Sequence, residues 1–141
     1  NHFHLLIKQL EKGAMEGFMR SLATRYSMYF NKKYTRVGPL FQNIYKASLI
    51  TGDSYRLHLS RYIHINPSEY YSNLQDAYSS FGEYLKIRKT SWVKPEIILT
   101  YFDQANISDF NRVNSYKDFV EKYRDDSQSV LGPLTLEKDD L

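Results

Sequence analysis

His2 and His4 flank one bulky apolar residue in the opening run Asn1-His2-Phe3-His4-Leu5-Leu6-Ile7. The alternation predicts a strand over residues 2–9. Successive strand side chains point to opposite faces, so the two imidazoles would share one face while Phe3, Leu5 and Ile7 share the other. Two neutral imidazoles side by side can bind a divalent ion once a third ligand arrives from elsewhere, leaving positions open for a substrate oxygen. A strand carrying two polar residues on a solvent face has the same spacing. Both readings fit these residues.

A second constellation lies some sixty residues on. Arg61-Tyr62-Ile63-His64-Ile65-Asn66-Pro67 closes a segment of helical spacing over about 53–66, opened by Gly52-Asp53-Ser54, where Asp53 or Ser54 suits the N-cap. Tyr62 and Asn66 are four residues apart and share a helix face, so a phenol and an amide oxygen are presented together. A histidine pair, one more neutral ligand and a tyrosine suit phosphodiester cleavage in which an ion polarises the scissile phosphate and the phenol oxygen attacks. Simpler roles also fit. Pro67 should push Asn66 out of helical dihedrals at the helix terminus, where asparagine caps well. Tyr62 is one of thirteen tyrosines and suits a core position. His58, one turn before Tyr62, could orient its hydroxyl, contact DNA or lie on the surface. His64 lies roughly 200° around the helix from Tyr62 and should point away from the site.

Taken together, these stretches resemble the single-tyrosine HUH transposases, and within them the IS200-like, REP-associated tyrosine transposases of bacteria. The residues that carry the resemblance are the histidine strand NHFHLLI, the segment GPLFQNIYKASLI at 38–50 and RYIHINP at 61–67, in matching order and separation. It continues more weakly through Tyr78-Ser79-Ser80-Phe81, Trp92, Ile98 to Phe102 and Tyr116 to Val120. The resemblance implies that His2, His4 and Asn66 ligate the metal and that Tyr62 is the nucleophile. It favours Mg²⁺ or Mn²⁺, although imidazoles also suit zinc.

The chain departs from the pattern in three places. Ile44 stands where relatives often carry an arginine, which would remove a DNA contact. Ser68-Glu69-Tyr70-Tyr71 replaces a Val-Arg-Ala-Gly-like run. The family's histidine strand also follows a strand, a helix and a second strand, whereas this chain opens at Asn1, so an N-terminally incomplete domain is expected.

Charge is unevenly placed. Residues 1–71 hold ten Lys or Arg against four Asp or Glu, a balance of +6, and residues 72–141 hold nine against twelve, a balance of −3. A basic half around both motifs suits a polyanion. The candidate DNA contacts are Arg20, Arg25, Lys32, Lys33, Arg36, Gln42, Lys46 and Arg61. Mild basicity and a helix end complementing its own dipole are the simpler alternatives. The absence of Cys excludes disulfides and thiolate metal sites. With no membrane-length apolar run and no signal-like segment, a cytoplasmic bacterial protein is expected.

The elements that must position these residues read as follows. After the strand, residues 14–32 form a helix whose stripe of Met15, Phe18, Met19, Leu22, Tyr26, Tyr29 and Phe30 is expected to be core. Gly38-Pro39 precedes a weaker strand at 41–50, and the tyrosine helix follows. Residues 75–86, 95–102 and 113–124 have helical character, with Pro95 in a first turn and Asp118, Glu121, Lys122 and Arg124 on a solvated face.

The expected fold class, implied by the resemblance, is α+β: a ferredoxin-like antiparallel sheet with helices on one face and a C-terminal helical extension. The expected divisions are a catalytic core at 1–72, the extension at 73–124 and a loose acidic tail at 125–141. Two strands make a marginal sheet, so further segments or a second subunit, as in a homodimer, must complete it. The expected function is a metal-dependent single-stranded DNA endonuclease and strand transferase, acting beside a hairpin through a 5′-phosphotyrosine intermediate. The alternatives are a non-catalytic DNA-binding remnant and a histidine-metal phosphoesterase that leaves Tyr62 dispensable.

Overall fold

A computed structural model of the chain describes residues 2–42, 44–103, 115–122 and 131–132. Its regular elements are helices: α1 (Ala14–Lys33), α2 (Asp53–Ile65), α3 (Phe81–Tyr84), α4 (Glu96–Asp103) and α5 (Tyr116–Lys122), with 3-10 turns at Asn66–Glu69 and Leu74–Asp76. The described residues contain no strand, which overturns the expected α+β ferredoxin-like sheet. Strand identity requires a ladder of backbone hydrogen bonds to a neighbour. Neither 2–9 nor the described part of 41–50 forms one. The apolar alternation of the first segment is present, but Phe3, Leu5 and Ile7 all remain exposed.

Two compact units make up the structure, one of residues 1–5 and 49–141, the other of residues 6–48. The second unit contains α1, 20 residues long as its spacing predicts. None of its residues is buried, and Phe18, Tyr26 and Tyr29 are about half exposed, so the expected core stripe is not core. The reason is that α1 has no other regular element within its unit to pack against. It closes with the Arg36 N–H on the Asn31 carbonyl at 2.9 Å, the six-to-one bond of a Schellman ending. Thr35 supplies the left-handed residue at φ 51°, and the Asn31 amide reaches the Gly38 carbonyl at 2.8 Å.

The hydrophobic core belongs to the first unit. Leu57 of α2 meets Leu74, Phe81, Ile98, Tyr116, Phe119 and Val120, with α2 packed on α4 and α5. Phe81, Phe119 and Val120 are wholly buried, and Leu131, placed by its sequence in the expected loose tail, is buried too. The rest of that tail described here is Gly132 alone, while the ends of 113–124, Arg124 among them, lie outside the described residues. Pro95 immediately precedes α4 instead of lying in its first turn, its carbonyl accepting from the N–H groups of Ile98 and Leu99 at 2.9 Å. The predicted charged face of α5 carries the pair Lys122 to Asp118 at 2.6 Å.

The ends of α2 differ from expectation in detail. Gly52, extended at φ −125° and ψ 151°, is the N-cap; Asp53 sits in the first turn and pairs with Arg56 at 2.7 Å. At the other end Asn66 keeps right-handed helical dihedrals despite Pro67, because the helix tightens into the 3-10 turn instead of stopping. Pro67 occupies an early position of that turn, where its missing N–H is not needed. No helix among the described residues is long and apolar enough to cross a membrane.

Candidate active site

The two histidines converge. Nε2 of His2 lies 3.1 Å from Nε2 of His4, with the rings edge to face at 4.8 Å between centroids. One ring can donate to the other at this distance. The same separation subtends about 95° at an ion held through bonds of about 2.1 Å, close to the angle between neighbouring ligands of an octahedral ion. His2 is exposed and His4 half-buried. The edge of the His4 ring meets Tyr62, centroid to centroid 5.5 Å at 73°. Tyr62 is 6% exposed, so its ring is held in one direction by what surrounds it.

Asn66 lies one turn beyond Tyr62 on the same face of α2, exposed at the helix end. Among the described residues no group of three or more His, Cys, Asp or Glu could hold an ion. The two imidazoles have no third His, Cys, Asp or Glu beside them among the described residues. An amide oxygen such as that of Asn66 is neutral and chemically suited to join them.

The opposite side of α2 is also polar and is sealed. His64, expected to point away from the site, is 2% exposed. Its Nδ1 lies 2.6 Å from the Tyr116 hydroxyl and its Nε2 2.8 Å from the Ser80 hydroxyl. Burial pushes its pKa down to about 4, against a smaller upward pull from Glu83, so the ring is neutral at ordinary pH. Burial raises Tyr84 to about 12 and Tyr116 further above its ordinary value. His58 is buried and meets Phe119 edge to face at 5.8 Å, which corrects the surface alternative. Arg61, a candidate DNA contact, donates from Nε to the Phe119 carbonyl at 2.8 Å.

The remaining candidates belong to the unit of residues 6–48. Arg20 pairs with Glu16 at 2.7 Å on an exposed helix face, and Arg25 borders a shallow concavity with Phe18, Leu22 and Tyr26. Lys33 Nζ stands 5.6 Å from the Tyr29 ring centroid and 5.4 Å from that of Tyr34, while Arg36 Cζ is 5.7 Å from Phe30. The hydrogen bond with Tyr29 raises the Lys33 pKa, keeping the ammonium charged. Lys32, Gln42 and Lys46 are exposed. Between Glu16 and Asp53 the sequence has no acidic residue. Read only as a core stripe, Tyr26, Tyr29 and Phe30 concealed an exposed aromatic and cationic surface; the missing carboxylates were the signal that could have disclosed it.

Residues 1–66 match the family model described as transposase IS200 like. That segment, just under half of the chain, is similar to the IS200-like transposases. It spans the histidine pair, α1 and α2 through Asn66, and leaves α3 to α5 uncovered. No curated protein and no solved structure matches the chain.

Proposed function

We propose that the protein is a metal-dependent single-stranded DNA endonuclease and strand transferase whose nucleophile is Tyr62. The observation that carries this reading is the contact of the His4 ring with Tyr62 at 5.5 Å, beside a second imidazole nitrogen only 3.1 Å from that of His4. His2 and His4 with the Asn66 amide oxygen would hold Mg²⁺ or Mn²⁺, which when bound supplies positive charge to a non-bridging oxygen of the scissile phosphate. The Tyr62 oxygen would be the atom that attacks the phosphorus. That oxygen forms the new P–O bond, the bond to the 3′ oxygen breaks, the phenol proton is released and the departing 3′ oxygen takes up a proton. The product is a 5′-phosphotyrosine and a free 3′-hydroxyl. A second 3′-hydroxyl attacking the same phosphorus restores Tyr62 and joins strands. A phenol of pKa near ~10 leaves more readily than an alcohol, so the link remains exchangeable.

The basic residues Arg20, Arg25, Lys32, Lys33, Arg36 and Lys46, with Gln42, take the phosphates and edges of the strand. Exposed aromatic faces beside cations favour unpaired bases over duplex. Incubation with Mn²⁺ or Mg²⁺ and a hairpin-bearing single strand should leave label on the protein only when the label is 3′ of the cut. Tyr62→Phe should lose the adduct and keep DNA binding, and His4→Ala should lose cleavage. Normal cleavage by Tyr62→Phe would favour the phosphoesterase. Binding without any adduct from the wild type would favour the remnant binder.

A further inference from the structure

Two polar side chains two residues apart on α2 face opposite ways, and only Tyr62 has a part in the proposed reaction. His64 occupies a core position that a leucine or phenylalanine would fill without burying two ring nitrogens. Replacing His64 together with both its hydroxyl partners by apolar groups of the same shape would be nearly neutral, so stability alone does not account for this buried polar set. Directional contacts do. The Tyr116 hydroxyl is 2.6 Å from Nδ1 of His64. The Ser80 hydroxyl holds Nε2 at 2.8 Å. Beside them Arg61 Nε holds the Phe119 carbonyl at 2.8 Å, and Tyr84 closes over the His64 ring edge to face at 4.6 Å.

These contacts fix the rotation of α2 about its axis. A tyrosine oxygen stands roughly 9 Å from the axis of its helix, given a backbone radius of about 2.3 Å, so a turn of 10° displaces it by about 1.5 Å. A misplacement of about 1 Å can cost about 100-fold in rate. We infer that His64, held between Tyr116 and Ser80, is a positioning residue for Tyr62, and that the segment beyond residue 66 is therefore part of the reaction's apparatus. This rests on the reading of Tyr62 as nucleophile, and it extends the site past the segment that the family match covers.

The test uses the full chain. Tyr116→Phe removes one hydroxyl and keeps the ring in the core; Ile98→Val, in the same core but making none of these hydrogen bonds, serves as a comparison of similar stability loss. Single-turnover adduct formation at saturating single-stranded DNA should slow ~10-fold or more in Tyr116→Phe, with the Kd for DNA unchanged and Ile98→Val at the wild-type rate. A fluorotyrosine placed at position 62 reads the same property without chemistry: one narrow ¹⁹F resonance in the wild type, shifted or broadened in Tyr116→Phe. Equal rates in all three proteins, or an unchanged resonance, would overturn the inference. A wild type that forms no adduct while the resonance still responds would defeat the nucleophile reading and leave the placement of Tyr62 by His64 standing.

Discussion

Glu83 shows how a single buried charge is held. Its carboxylate takes Nε and a terminal nitrogen of Arg88, each at 2.9 Å, and the Thr90 hydroxyl at 2.6 Å. The Arg88 hydrogen bonds, opposed by burial, bring its pKa down to about 2 from 4.5. A depressed carboxylate pKa contributes stability that is complete above the unfolded value and is lost as pH falls through the folded value. The window is therefore about pH 4.5 down to 2. Because Arg88 is half exposed, the contribution is on the order of 1–2 kcal/mol, below what the full shift would give. Glu83→Gln should flatten the decline in unfolding free energy across that window by this amount, and a decline unchanged from the wild type would show that Arg88 does not hold the carboxylate. At the same scale the approach of His2 to His4 and the shared helix face of Tyr62 and Asn66 were legible, since alternation and the four-residue spacing are local. The partners of His64 were not, because Tyr116 and Ser80 come from elements whose packing no local pattern encodes.

Among the elements, α1 and α2 were readable nearly to the residue from their apolar periods. The strands at 2–9 and 41–50 were misread, because alternation states which face a strand would bury without supplying the neighbour that makes it a strand. The burial of α1 was misread for the same reason. Its ending carries a strain of its own: Thr35, a β-branched residue, takes φ 51°, where glycine is the ordinary choice. Thr35→Gly should strengthen this terminus by about 1 kcal/mol. Hydrogen exchange at the amides of Tyr34 and Arg36, which bond to Phe30 and Asn31, measures it. Slower exchange there in the variant is expected, and faster exchange would mean that the threonine side chain itself holds the turn.

At the scale of the whole molecule, the charge division foreseen from the sequence has a physical layout. The acid-free stretch begins within α1, after Glu16, and runs through the segment that follows, and the acidic half contains the core helices α3 to α5. Composition could state that two halves differ; it could not state that α2 would be sealed on one side by the acidic half's helices and touch His4 with its other side. The central claim is that this arrangement makes Tyr62 the residue that bonds to DNA. Peptide mapping of the protein after reaction with a hairpin-bearing single strand and Mn²⁺ tests it most directly. Cleavage after Arg61 and Lys86 isolates the peptide from Tyr62 to Lys86, which also contains Tyr70, Tyr71, Tyr78 and Tyr84 as internal comparisons. The account predicts a nucleotide phosphate on Tyr62 alone, and a link on another tyrosine, or none in a protein that has cut the strand, would contradict it.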